Sequence, residues 1–198
     1  MIVVELDDGC VVHRVEDPAE AEAFRAGFVK AYRDVFARPP YEESFTEDEA
    51  STIWDRLVGS PNHITFVVED ASELVAFASA IPLSCDGPVA RALAGLVPVR
   101  DTMYLAELGV LPEYRDRGLA RLLVKARLKA MDPARFTHVV LRAVEGKNEA
   151  LAMYRELLFT DMGVSMTVTR ERIDGTVRSD ERHFMSRVLS QVDVDSAG

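Results

Sequence analysis

Residues 107–128 read "ELGVLPEYRDRGLARLLVKARL". The apolar run ELGV passes through a short charged turn into an amphipathic helix, with Gly118 at the junction. Residues 113–129 hold six basic side chains and two acidic ones, in a chain whose formal net charge is −10. A helix N-terminus offers about four unpaired backbone N–H groups and the positive end of the helix dipole, so this strand–turn–helix junction reads as an anion site. Gly118 has no Cβ to hold a ligand away from the backbone, and the small Ala120 serves the same end. Leu119, Leu122, Leu123 and Ala126 form the stripe expected to be buried, while Arg117, Arg121 and Lys125 recur every four residues on another face. The predicted ligand therefore carries phosphates. There is no Gly-Lys-Ser/Thr of a P-loop and no three-glycine dinucleotide fingerprint, which argues against an ordinary nucleoside triphosphate or NAD.

The elements around this stretch follow from spacing. Val11–Val15 reads as a strand, and from Pro18 the residues Phe24, Phe28, Ala31 and Val35 recur at helical offsets until "ARPPY" ends the helix. A second helix starts at "TEDE", where Thr46 and Glu49 have capping-box spacing, and Gly59 is expected as its C-terminal cap. "HITFVV" (63–68) and "LVAFASAI" (74–81) predict a hairpin, 83–101 an irregular connection, and "MYLAELGV" (103–110) the strand that feeds the charged turn. A helix over 117–131, a strand over 137–144, a helix over 148–158 and two final strands complete a mixed α/β domain. One domain is expected over residues 1–198, with 189–198 as a tail.

A 48% hydrophobic and 28% charged composition excludes wholesale disorder. No apolar run reaches the roughly 18 residues of a membrane span, and the acidic flank of "MIVVELDDGC" is not that of a signal peptide. The two cysteines, Cys10 and Cys85, lie far apart without metal-ligand spacing, which fits a reduced, cytoplasmic protein. His13, His63, His138 and His183 are scattered, so no metal site is expected. Thirteen acids face five bases in residues 1–50, which argues against a nucleic-acid partner and slightly favours a cationic small-molecule acceptor.

"AELGVLPEYRDRGLARLL" resembles the acetyl-CoA-binding motif of the GNAT superfamily of N-acetyltransferases, whose turn runs Gln/Arg-x-x-Gly-x-Gly/Ala. "NEALAMYRELLF" resembles the second family motif, an Asn-led helix with a tyrosine five residues before a phenylalanine. Two departures stand out: the family usually has glycine where this chain has Leu158, and Asn148 is one residue nearer Tyr154 than usual. The resemblance implies a GNAT-like α/β (α+β) fold, a mixed sheet of about six to seven strands flanked by about four helices. It implies that the backbone of Arg115, Asp116, Arg117, Gly118, Leu119 and Ala120, with Arg121, cradles the pyrophosphate of acetyl-CoA. Leu108, Gly109 and Val110 would pair with the pantetheine arm, Asn148 would also contact the coenzyme, and Tyr154 would protonate the leaving thiolate.

Glu107 is a carboxylate inside an otherwise apolar strand, a costly placement that burial turns to use by raising its pKa toward that of a general base. Tyr41, Glu42 and Glu43, in the loop after the first helix, could hold an amine by charge and aromatic contact. The reading is acetyl transfer from acetyl-CoA to a primary amine in a ternary complex, with no membrane partner. A non-catalytic acyl-CoA-sensing module is the alternative. The stretch 83–101 reads either as a lid or as a contact in a homodimer.

Overall fold

The computed structural model describes residues 2–144 and 149–189. The chain runs β1 (Ile2–Glu5), β2 (Val11–Val15), α1 (Pro18–Phe36), α2 (Glu47–Gly59), β3 (Ile64–Asp70), β4 (Glu73–Pro82), α3 (Gly87–Ala92), β5 (Thr102–Val110), α4 (Leu119–Ala130), β6 (His138–Val144), α5 (Glu149–Glu156), β7 (Thr160–Glu171) and β8 (Val177–Val188). The eight strands form one sheet in the order β1-β2-β3-β4-β5-β6-β8-β7. Every pairing is antiparallel except β5 with β6. The fold is thus the expected mixed one, with one strand and one helix more than the sequence pattern predicts.

Local chemistry explains the boundaries. Asp17 caps α1 by accepting from the N–H groups of Ala19 and Glu20, and Pro18 occupies the first turn where its missing donor is harmless. Thr46 and Glu49 form the expected capping box, at 3.2 and 2.9 Å. Gly59 does not cap α2; it is the last helical residue, and Ser60 leaves in an extended conformation that needs no left-handed position. β1 is only four residues long, too short to show period-2 alternation. Within 83–101 Asp86 caps α3, accepting from Val89 N–H at 3.1 Å, with Pro88 in its first turn. Leu189, expected in the tail, is buried and donates its N–H to the Thr137 carbonyl at 2.8 Å.

Both faces of β4 are buried, so the sheet is covered on each side. On one side α1 and α2 present an aromatic cluster: Phe28 packs tilted against Trp54 at 4.6 Å and edge-on against Phe77 of β4 at 4.9 Å, and Tyr32 stacks on Phe77 at 5.6 Å. On the other side α4 buries Leu119, Leu123, Val124 and Leu128.

The feature that shapes the site is in β5. Ser79 pairs with Glu107 and Ala80 with Leu105, so Ala106 is an extra residue, a β-bulge. β5 pairs with β6 only from Thr102↔His138 to Leu105↔Leu141; beyond that point β5 keeps β4 as its neighbour and β6 keeps β8. The two parallel strands therefore part into a V. Arg127 of α4, fully buried, braces the bulge by donating to the carbonyls of Ser79 and Glu107, both at 3.0 Å. Burial lowers its pKa to about 10, still protonated at neutral pH.

Gly109 follows the bulge, and a Cβ there would lie 2.3 Å from Cζ of Phe77, a ring wedged in the aromatic cluster. Gly109→Ala is expected to destabilise the protein by about 1–3 kcal/mol, as overpacking of a filled core does. Equilibrium urea unfolding measures this; an unchanged midpoint would contradict the packing account.

Candidate active site

The site is the V between β5 and β6. Antiparallel strands direct alternate residues' N–H and C=O groups toward and away from the neighbour. Leu111 N–H bonds the Val75 carbonyl of β4 at 2.9 Å, so by alternation Leu108 and Val110 turn their backbone groups away from β4, into the V. Among the described residues no strand covers them there. These are the amides that the sequence reading assigns to an extended ligand arm.

At the open end of the V the chain makes a turn, Pro112–Tyr114, and enters α4. Asp116 has φ 63° and Gly118 φ 79°, so two left-handed residues bend the backbone just before the helix. Successive N–H groups in such a turn make a concave anion-binding nest, here in line with the helix dipole. Residues 115–118 are exposed, and a Cβ at Gly118 would meet nothing within 4 Å, so the space over the turn is open. Tyr114 anchors the turn through its hydroxyl, which donates to Asp70 at 2.7 Å, and the Arg117 guanidinium stacks 4.5 Å from the Tyr114 ring. Arg121 pairs with Glu156 and so ties α4 to α5. Open strand amides running toward a nest at a basic helix N-terminus fit a ligand with an extended arm and a pyrophosphate.

Glu107 points to the α1–α2 side, where Tyr32 donates to it at 3.4 Å and Arg56 lies 3.7 Å away. Its side chain is 12% exposed. Burial raises its pKa, opposed by the charges of Arg56, Arg142 and Arg182 and by the Tyr32 hydrogen bond. Tyr154 lies in α5 with its phenol facing Arg127; burial raises its pKa and Arg127 works against that rise. The end of α5 fixes this ring. Phe159 N–H bonds the Tyr154 carbonyl at 2.9 Å and Leu158 N–H bonds that of Arg155 at 3.0 Å, a Schellman cap with Leu158 in the left-handed position at φ 65°. Phe159 packs edge-on against Tyr154 at 5.7 Å. Leu158 thus stands in the left-handed position where such a cap favours glycine, which accounts for the family's usual glycine but not for the leucine here. Asn148 lies outside the described residues.

The loop after α1 is docked on the β7–β8 hairpin. Ile173 N–H bonds the Glu42 carbonyl and Ser44 N–H that of Glu171, both at 2.9 Å. Glu43 is 2% exposed and its carboxylate meets Arg182 and Arg172, so it clamps the loop instead of presenting a free charge. Glu42, at φ 52°, contributes its backbone. Tyr41 does reach the site: Arg182 sits 5.4 Å from its ring, and burial, with the nearby Tyr154 and Glu107, pushes its phenol up to about 12. Tyr32, Arg56, Tyr104, Arg127 and Arg142 escape the sequence reading. Arg127 left one signal, its place four residues after Leu123 on the buried row of α4.

Among the described residues no three His, Cys, Asp or Glu side chains gather to hold a metal, and no helix is long and apolar enough to cross a membrane. The family model for GNAT acetyltransferases matches residues 24–159. No curated protein sequence matches significantly. Similar solved structures include an N-acetyltransferase from Staphylococcus aureus, with TM-score 0.64 at 14% identity over 91% of this chain and 99% of that one. Another is yncA from Salmonella typhimurium with its cofactor acetyl-CoA, TM-score 0.64 at 16% identity over 92% and 95%. Arabidopsis thaliana NAA60 in complex with acetyl-CoA gives 0.62 at 15% identity over 91% and 98%.

The Glu107 environment predicts a stability change with a definite sign. Its folded carboxyl holds a proton more tightly than the unfolded chain does, so between about pH 4.3 and the raised value stability falls as pH rises, and it stays lost at neutral pH. Glu107→Gln is therefore expected to melt higher than the wild type at pH 7, with the advantage vanishing below about pH 4. A variant that melts lower at pH 7 would contradict the desolvation account.

Proposed function

The chain belongs to the GNAT acetyltransferase family, and we propose that it acetylates the primary amine of a small molecule by direct attack within a ternary complex. Acetyl-CoA is the co-substrate and supplies the activated acetyl thioester. The observation that carries the reading is Glu107: a desolvated carboxylate on the rim of a V whose strand amides have no strand partner among the described residues.

The roles follow from the surroundings of each group. The nest from Arg115 to Ala120 and the α4 dipole hold the pyrophosphate, and Leu108 to Val110 line the extended arm. An N–H of Leu108 or Val110 turned into the V polarises the acetyl carbonyl, an effect that is stronger where water is excluded. Glu107 takes a proton from the acceptor ammonium and frees the nitrogen lone pair. That nitrogen bonds the acetyl carbon as the C–S bond breaks, and the electron pair leaves with sulfur. Tyr154, kept protonated by burial, hands its hydroxyl proton to the departing sulfur. Of the two protons the ammonium gives up, one exits to solvent through Glu107 and the other replaces the one Tyr154 donated. The products are an N-acetyl amine and a free thiol.

A sensing module has no use for a base in this position, and no feature of the site favours that reading. The described residues of one chain supply each role named here, so the reaction needs no second copy. Cys10 and Cys85 are unpaired, which supports a cytoplasmic setting.

Titration calorimetry is expected to give micromolar acetyl-CoA binding to the wild type and at least about tenfold weaker binding to Gly118→Glu, whose carboxylate repels the pyrophosphate. In thiol-release assays Glu107→Gln should lose about 10²- to 10³-fold in kcat with coenzyme affinity retained. The wild-type kcat/KM should rise with pH through the raised Glu107 value, and this limb should be absent in the variant. No acetyl-CoA binding, or full turnover by Glu107→Gln, would overturn the proposal.

A further inference from the structure

Beyond the last pairing with β5, the next residue of β6 is Arg142. Tyr104 lies opposite Val140, and strand alternation puts Arg142 on the same face as both. The bulge at Ala106 brings Glu107 to that face as well. Arg142 and Glu107 therefore stand on the two arms of the V, on the α1–α2 side, where an acceptor would approach.

The arginines of this face are paired, with one exception. Arg56 holds Asp86 at 2.8 Å, Arg172 holds Asp180 at 2.5 Å, and Arg182 holds Glu43. Arg142 has no carboxylate within 4.0 Å among the described residues; its hydrogen bond goes to the thioether of Met166 at 3.3 Å, a weak acceptor. It is nevertheless partly buried: desolvation works against its charge, but Glu107 and Asp86 act on it from beyond contact distance and raise its pKa, so it is held as a cation whose donors meet no carboxylate among the described residues. A second group points the same way. The Tyr104 hydroxyl is buried and has no hydrogen-bond partner among the described residues; burial raises its pKa, and Arg142 and Glu107 are the charges that act on it most strongly.

Resting on the transferase reading above, we propose that the acceptor is a small amine bearing its own carboxylate, an amino acid or close relative. Its carboxylate sits on the Arg142 guanidinium and accepts from the Tyr104 hydroxyl, while its amine faces Glu107. The arrangement gives each end of a zwitterion the opposite charge. It also replaces the expectation of a purely cationic acceptor, whose supposed anchor Glu43 is already neutralised by two arginines. A charge-assisted, bidentate contact of this kind rejects an isostere that lacks the carboxylate far better than an apolar pocket does.

The test is a thiol-release assay with acetyl-CoA and a panel of the proteinogenic amino acids, each beside its C-terminal amide and its decarboxylated amine. At least one amino acid is expected to exceed both its counterparts by about 30-fold or more in kcat/KM. In Arg142→Gln that ratio should fall to within about threefold of one, through KM, and in Arg142→Lys it should be partly kept. Thermal melting checks that each variant folds; should Arg142→Gln fail to fold, the wild-type ratio and Arg142→Lys still decide. Amides or plain amines preferred by the wild type, a ratio unmoved in Arg142→Gln, or coenzyme binding without turnover of any amino acid would overturn the carboxylate proposal alone. Absence of acetyl-CoA binding would overturn the transferase reading beneath it.

Discussion

The parting of β5 from β6 is the constraint on which the site depends. A parallel pair exposes no amides between its strands, so a cleft in mid-sheet requires something to break the ladder and then hold the break open. The extra residue Ala106 breaks it, and Arg127 holds it by bonding the carbonyls of Ser79 and Glu107 from beneath. A buried arginine is expensive, and its pKa falls accordingly. Its guanidinium offers several donors in a fixed fork, which suits two carbonyls that sit side by side at the bulge. The same cation acts on Tyr154, opposing the rise that burial gives its phenol, so the group that shapes the cleft also tunes that side chain.

Electrostatics divide the two sides of the V. On the turn side the cations are exposed and accompany backbone amides, an arrangement suited to a multiply charged, solvated anion. On the α1–α2 side the charges are buried and nearly balanced: Glu43, Asp86 and Asp180 are spent on Arg56, Arg172 and Arg182. What remains is Glu107, which burial disfavours as an anion, and Arg142, which has no carboxylate in contact among the described residues. Burial of the Glu107 carboxylate costs stability at neutral pH, the kind of cost that functional sites commonly carry.

Features set by local sequence were legible, and those set by long-range pairing were not. Gly118 and the basic helix after it could be read because a turn and a helix N-terminus are fixed within a few residues. Thr46 and Glu49 announced α2 for the same reason. Glu107 stood out as a charge in an apolar strand, but its face did not. Without the bulge, simple alternation puts Tyr104 and Glu107 on opposite sides of β5, and nothing in "MYLAELGV" marks Ala106 as the extra residue. Arg142 carries the same signal as Glu107, a charge within a strand, and gains meaning only when β6 is seen to leave β5. Glu43 read as a loop acid because its partners, Arg172 and Arg182, lie some 130 to 140 residues away in sequence.

The central claim is that the V between β5 and β6, with the turn before α4, receives acetyl-CoA. Amide hydrogen exchange with and without acetyl-CoA tests it at the level of single segments. The account predicts slowed exchange in peptides covering residues 108–120, with β1 to β3 unaffected, because the open amides of Leu108 and Val110 and those of the nest gain partners. Protection elsewhere, or binding that leaves residues 108–120 exchanging at their original rate, would contradict it.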